Sequence, residues 1–130
     1  VEESGNMVIM LAALAKLDGN ADFAARWWPT VEKWGAYLKE HGLDPENQLC
    51  TDDFAGHLAH NVNLSIKGIS GLASFARLCE RRGDLAKATE YSAPVLGLIF
   101  LKFADNKYTA NMKRQYSPST RSSRASTPSS

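Results

Sequence analysis

Residues 7–42 read MVIMLAALAKLDGNADFAARWWPTVEKWGAYLKEHG and contain two helical patterns separated by a short turn. The first pattern, Met7 to Leu17, is almost wholly apolar, which is typical of a helix buried on more than one side. Ser4 is its predicted N-cap and Gly19 its predicted C-terminal stop. Because the turn after it is short, the two helices are expected to form an antiparallel hairpin.

The second pattern runs from Asn20, a predicted N-cap, to Gly42, a predicted C′ residue. Large apolar residues repeat along it at helical spacing and predict one buried face, made of Phe23, Trp27, Val31, Trp34 and Leu38. Trp28 falls off this face and is open to a surface role. Pro29 lacks an amide hydrogen, so it is expected either to kink the helix or to restart it.

The helical period resumes over residues 63–82. A short helix capped by Asp84 is then expected up to Tyr91, and Pro94 separates it from a further amphipathic stretch at 95–108. No segment alternates apolar and polar residues with a period of two, so a β-sheet has no support. The chain is therefore predicted to be all-α.

The composition is that of one globular domain, since 44% of the 130 residues are hydrophobic and 22% are charged. It excludes the collagen-like, wholly disordered and disulfide-scaffold classes, and no apolar run reaches the ~20 residues of a membrane span. Cys50 and Cys79 lack metal-ligand spacing, and Cys79 is expected to be a buried free thiol. The chain shows no signal peptide and opens abruptly, as a piece of a longer protein would.

Charge is distributed unevenly along the chain. Residues 1–105 carry 10 Lys/Arg and 14 Asp/Glu (net −4), whereas residues 106–130 carry 5 basic residues and no acid (net +5). An acidic body with a basic tail does not fit a specific nucleic-acid-binding domain. From Ser117 onward the 14 residues include seven Ser and one Ala as the only apolar side chain, which predicts a disordered C-terminal tail.

Residues 43–63 are polar, lack a helical period and are expected to carry a site, because loops on a rigid scaffold hold many binding groups. Asp52 and Asp53 are adjacent, so one is expected to face a pocket while the other caps a helix or stays solvated. His57 and His60 are three residues apart, on one side of a helical turn. Their spacing suits either a metal or hydrogen-bonded pocket histidines, and the sequence places no third ligand.

Three blocks of sequence carry a family resemblance: EESGNM at 2–7, WWPTVEKW at 27–34 and GLDPENQLCTDDFAGHLAHNVNLSIKGISG at 42–71. Over residues 1–91 the chain resembles the six-helical-hairpin domain of the glutaminase A family. The resemblance implies a share of an (α/α) six-hairpin toroid around a central cleft and the hydrolysis of L-glutamine to glutamate and ammonia. It also implies an extracellular or periplasmic location. We predict no cofactor and no bound metal.

The resemblance also implies site residues, all at the start of the first helix or in the polar loop. The catalytic candidates are three carboxylates, one of which would activate water as a general base: Asp52, Asp53 and Glu3. The substrate-binding candidates would hold glutamine and stabilise the developing oxyanion: Glu2, Asn6, His57, His60, Asn61 and Asn63. Glu2 and Glu3 have a second interpretation, because acids in a first turn complement the helix dipole.

Residues 92–108, SAPVLGLIFLKFADNKY, resemble instead an N-terminal helix of the type I restriction–modification DNA methylase subunit. The predicted organisation is therefore a glutaminase-like segment at 1–91, a methylase-like helix at 92–108 and a Ser/Thr/Pro/Arg-rich tail at 109–130, as in a chimera. Two other functions stay open: a non-catalytic helical interaction module, and a carbohydrate-active toroid enzyme.

A complete toroid needs about twelve helices, which at about 10–14 residues each exceeds this chain. The 130 residues alone are therefore expected to be inactive. Their uncovered apolar faces, above all that of Met7 to Leu17, are expected to drive self-association. Glutamine is the predicted small-molecule partner, and no membrane partner is expected.

Overall fold

The computed structural model describes residues 1–46, 48–51 and 56–97, and this part of the chain is helical. The helices are listed in chain order as α1 (Glu2–Asp18), α2 (Asp22–Ala25), α3 (Trp28–His41), α4 (Val62–Arg81) and α5 (85–97). The described residues contain no β-strand, and a single antiparallel bridge joins Gln48 to Leu58. The all-α prediction is confirmed. The predicted tail at 109–130 and the stretch at 98–108 lie outside the described residues.

The first helix begins earlier than the sequence predicts. Its N-cap is Val1, so the prediction of Ser4 as the cap is wrong, because the helical backbone already starts at Glu2. Its end is confirmed, since Gly19 adopts a left-handed φ of 76°. Only one face of α1 is buried in the described structure, because α3 and α4 pack on the same side of it.

The second predicted helix is two helices. Pro29 lies in the first turn of α3, which confirms that the helix restarts there. The break before it shifts the helical phase, so Trp28 stacks on Phe75 with ring centroids 5.7 Å apart, whereas Trp27 is 60% exposed. The predicted burial of Trp27 and Phe23 is therefore wrong, because it treated residues 20–42 as one uninterrupted helix.

Glycines set how closely α4 meets its neighbours. Gly68 lies against Gly42 at the end of α3, and Gly35 faces the ring of Phe75, so contacts run in opposite order and α3 is antiparallel to α4. Gly5 at the start of α1 lies against the first half of α4, and the last turns of the two helices also lie side by side. The helices α1 and α4 are therefore parallel.

The core lies between these three helices and includes the fully buried side chains Val8, Val31, Leu38, Leu72 and Phe75. These apolar contacts supply the main stabilisation of the helices, since helical propensity alone is weak.

Helix α5 covers the end of this core. Asp84 caps it, because its side chain accepts a hydrogen bond from the Lys87 amide at 3.0 Å. The predicted interruption at Pro94 is wrong, since the helix continues through it to residue 97. Packing of Tyr91 and Val95 on the core supports the helix on both sides of the proline, which removes one backbone hydrogen bond.

Both cysteines are free thiols, and Cys79 is buried as predicted. Burial raises the pKa of the Cys79 thiol to about 11, so it stays protonated and unreactive at neutral pH. None of the described helices is both long enough and apolar enough to cross a membrane.

Candidate active site

The parallel arrangement of α1 and α4 brings most candidate residues to one end of the helix pair. Glu2, Glu3 and Asn6 lie in the first turns of α1, and Asn61 and Asn63 lie at the start of α4. A cavity of about 360 Å³ opens at this end. It is lined by the start of α1 and by the loop segment 48–51, that is, by Val1, Glu2, Glu3, Gln48, Leu49, Cys50 and Thr51.

Glu2 is the buried charge of this region, with only 7% of its surface exposed. One carboxylate oxygen, Oε1, accepts a hydrogen bond from Thr51 Oγ1 at 2.9 Å and pairs with Lys67 Nζ. The other, Oε2, accepts a hydrogen bond from the Thr51 amide at 2.8 Å. The Lys67 ammonium, with help from Thr51, lowers the pKa of Glu2 despite its burial. Both oxygens of the Glu2 carboxylate therefore accept hydrogen bonds within the protein.

Glu3 differs from its neighbour in every one of these respects. It is exposed and lines the cavity, and it forms no salt bridge with any residue that the structure describes. Asn6 lies one turn further along α1 and is half-buried. The cavity therefore presents one exposed carboxylate, which interacts electrostatically with the Val1 ammonium without a salt bridge.

Asn61, a predicted substrate-binding residue, also has a structural role. It is the N-cap of α4, and its Oδ1 accepts hydrogen bonds from the amides of Asn63 at 2.9 Å and Leu64 at 3.3 Å. Its Nδ2 donates to Cys50 Sγ at 3.4 Å. These contacts use both ends of the Asn61 amide within the protein. Asn63 is half-buried in the first turn of α4.

The two histidines do not share a helical turn, so that part of the prediction is wrong. His57 is exposed, and the next residue, Leu58, forms the bridge to Gln48 in extended backbone. His60 has a positive φ of 57°, and its Nδ1 lies 2.6 Å from Asp44 Oδ1. The Asp44 carboxylate raises the pKa of His60. Within the described ranges, no three metal-ligating side chains come together.

Asp52 and Asp53 lie outside the described residues, so their catalytic role stays a prediction. Two residues of the site, Thr51 and Lys67, were missed by the sequence analysis. Lys67 carries a usable signal, because it is the only charged residue in the first fifteen positions of α4. A single cation in an apolar helix next to a polar loop indicates a buried acidic partner.

The two neighbouring carboxylates, Glu2 and Glu3, therefore have different chemical surroundings. Lys67 forms a salt bridge with Glu2, whereas Glu3 is exposed at the cavity wall and forms no salt bridge with a described residue. A carboxylate placed in this way can accept a proton from water or bind a cationic group such as an ammonium.

The chain is similar in sequence to two glutaminases. Glutaminase A of Aspergillus oryzae is 41% identical over 93 residues, which is 72% of this chain and 14% of that protein. A probable glutaminase of Arthroderma benhamiae is 50% identical over 61 residues, which is 42% of this chain and 7% of that protein. The chain thus spans about a seventh or less of the length of these relatives. No solved structure matches it.

The family model of the glutaminase A six helical-hairpin domain matches residues 1–120. The match continues past residue 91 and includes residues 92–108, for which the sequence predicted a methylase-like helix. The segment boundaries at 91 and 108 stay predictions. Since the match covers most of its length, the chain belongs to the glutaminase A family, within the six-helical-hairpin domain.

Proposed function

We propose that this chain supplies part of a site that hydrolyses the side-chain amide of L-glutamine to give L-glutamate and ammonia. The observation that carries the proposal is the cavity beside the start of α1, where Glu3 is an exposed carboxylate that forms no salt bridge with a described residue. The names of the relatives, both glutaminases, supply the reaction class.

In this proposal the Glu3 carboxylate acts as general base. It takes a proton from a water molecule as the water oxygen bonds to the amide carbon, which places negative charge on the former carbonyl oxygen. Collapse of the tetrahedral intermediate breaks the C–N bond, and the proton is transferred to the departing nitrogen, which leaves as ammonia. Asn6 and Asn63, at the same end of the helix pair, are the proposed hydrogen-bond donors to substrate or oxyanion.

Glu2 is excluded from proton transfer in this scheme. Lys67 and Thr51 bind both of its oxygens and lower its pKa, so it lacks the raised proton affinity of a general acid. Asp52 and Asp53 are alternative bases. By family alone we also propose an extracellular or periplasmic place of action.

The test is ammonia release from L-glutamine by the longest natural polypeptide that contains this sequence, assayed beside the 130-residue chain. Glu3→Gln is expected to lower kcat/KM by about 100-fold or more, the usual contribution of a general base. Glu40→Gln is the matched control, because Glu40 is exposed near the end of α3 and outside the cavity. It is expected to leave kcat/KM unchanged. The 130-residue chain alone is expected to release no ammonia.

Two results would contradict the proposal at different levels. Full activity in Glu3→Gln would remove Glu3 from the mechanism and transfer the role of base to Asp52 or Asp53. Absence of ammonia release by the unaltered long polypeptide, while it is folded and binds no glutamine, would reject the proposed reaction itself.

A further inference from the structure

The loop segment 48–51 is tied to the helix pair at three points. Gln48 Oε1 accepts a hydrogen bond from the Val1 nitrogen at 2.8 Å, and Cys50 Sγ accepts one from Asn61 Nδ2 at 3.4 Å. The third tie is the pair of hydrogen bonds from Thr51 to Glu2. Of these three ties, only the third includes a buried carboxylate, that of Glu2.

We propose that Lys67 is a positioning residue that keeps Glu2 in place as the acceptor of both Thr51 hydrogen bonds and thereby sets the wall of the cavity formed by residues 48–51. The effect on loop geometry does not depend on the reaction. Only the consequence for catalysis rests on the proposed glutamine hydrolysis.

The reason is the cost of an unpaired buried charge. A carboxylate removed from water is strongly disfavoured unless a cation and hydrogen-bond donors compensate it. Lys67 supplies the cation from α4, and Thr51 supplies both neutral donors. Without Lys67, Glu2 would have to turn towards solvent or take up a proton, and either change weakens its bonds to Thr51.

The close approach of the two helices makes this contact possible. A Cβ atom added to Gly5 would lie 3.1 Å from the Lys67 carbonyl oxygen and 3.6 Å from Lys67 Cβ. The absence of a side chain at Gly5 therefore lets the backbone of α4 pass directly beside the first turn of α1. From this position the Lys67 side chain needs only to extend towards Glu2, and 28% of it remains exposed.

The pairing of Glu2 with Lys67 also determines the pH range over which Glu2 accepts the two hydrogen bonds from Thr51. Because the pKa of Glu2 is lowered in the folded chain, the tie is complete above the ordinary pKa of a glutamate and is lost as the pH falls through the lowered value. Removal of the Lys67 cation takes away the largest cause of this lowering. The release of Thr51 should then occur at higher pH than in the unaltered chain.

Amide hydrogen exchange of Thr51, followed by NMR in the full 130-residue chain as a function of pH, measures the tie directly. In Lys67→Met we expect Thr51 to exchange about tenfold faster or more at neutral pH, and its acid-induced release to shift to higher pH. Lys67→Arg, which restores a cation, should recover most of the protection. Lys39→Met is the matched control, since it removes an exposed lysine paired with Glu90 and should leave Thr51 unchanged.

The amide of Leu72, in the middle of α4, reports on global unfolding in the same spectra. Unchanged exchange of Thr51 in a folded Lys67→Met chain would overturn the proposal, as would failure of Lys67→Arg to restore protection. If the Leu72 amide also exchanges faster in Lys67→Met, the variant has lost global stability, and Glu2→Ala is then measured instead. Faster exchange at Thr51 without a change at Leu72 supports the proposal, and unchanged exchange at Thr51 rejects it. None of these readouts needs turnover, so Lys67-dependent protection of the Thr51 amide, found together with a long natural polypeptide that releases no ammonia, would reject the proposed function and support the proposed role of Lys67.

Discussion

The two ends of the parallel pair α1 and α4 differ sharply in how closely the helices approach. At the N-terminal end, a Cβ atom on Gly71 would lie 3.1 Å from the Cα of Gly5, so the backbones are in contact. Towards the other end the same helices leave a groove of about 830 Å³ between them. The residues that line this groove include the small apolar residues Ala12, Ala13 and Ala73.

This difference shows how one helix pair can serve two purposes. Backbone contact at the glycine end lets short polar groups from both helices and from the loop meet around Glu2, which is where the candidate site lies. The groove at the open end is lined by small apolar residues and also by charged ones, and Arg77 there pairs with Glu80. Outside the groove lining, α1 exposes Met10 and Leu17 by 64% and 84%. The close end thus holds the proposed chemistry, whereas α1 exposes large apolar side chains further along its length.

The largest effect is expected where the backbones are closest. In Gly68→Ala the new Cβ would lie 2.2 Å from the carbonyl oxygen of Gly42, which cannot move aside as a flexible side chain could. We expect the free energy of unfolding to fall by about 3 kcal/mol or more, at the upper end of overpacking effects. Urea denaturation followed by circular dichroism measures it.

Gly97→Ala is the control for this substitution, because nothing lies within 4 Å of a Cβ added there. Its free energy of unfolding should stay the same or rise by up to about 1 kcal/mol, since alanine favours helix over glycine. Equal destabilisation by the two substitutions would show that backbone contact does not account for the effect of Gly68.

The sequence predicts the helices well wherever apolar residues recur without interruption. The start of α4 was predicted within one residue, and its end likewise, because Asn61 and Gly83 flank a continuous helical pattern. The phase of α3 was missed, since periodicity does not reveal that the helix breaks before Pro29 and turns Trp28 inward. At Pro94 the error is the reverse: a break was predicted, but α5 continues past the proline because its residues pack on the core.

For the site, the sequence identifies candidate catalytic and binding residues. It does not show which residues each of them contacts. Glu2 and Glu3 are indistinguishable in the sequence, and only the packing of α1 on α4 separates the buried, paired carboxylate from the exposed one. The spacing of His57 and His60 fails as a guide because their segment is a bridge at Leu58 followed by a turn, and not a helix. Contacts between residues almost fifty positions or more apart, such as those of Glu2 with Thr51 and Lys67, have no local signal.

A smaller effect is expected at the open end, where α1 exposes apolar side chains. We propose that the 130-residue chain self-associates through this surface, and that Met10→Gln combined with Leu17→Gln weakens association by about tenfold. The free energy of unfolding should change by less than about 0.5 kcal/mol, because both residues are already largely in water. Sedimentation velocity over a range of protein concentrations measures the association.

Ala36→Gln introduces the same side chain on an exposed position of α3 and serves as its control. Association that falls equally in the control and in the Met10/Leu17 variant would place the contact elsewhere. A chain that stays monomeric at every concentration would reject self-association altogether.

The smallest effect is expected in the exposed loop that leads towards the close end. His60 Nδ1 lies 2.6 Å from Asp44 Oδ1, and this carboxylate raises the pKa of the imidazole in the folded chain. A raised pKa means that the pair favours the folded loop below the ordinary histidine value of about 6.5 and that this contribution is lost as the pH rises through the raised value. Because both side chains are exposed, we expect little change in overall stability. An NMR titration of His60 should show its pKa above about 6.5 and a return towards that value in Asp44→Asn. Identical titration curves in the two chains would show that the ion pair does not persist in solution, and the loop would then be held at this point by the hydrogen bond from the His60 amide to the Pro45 carbonyl alone.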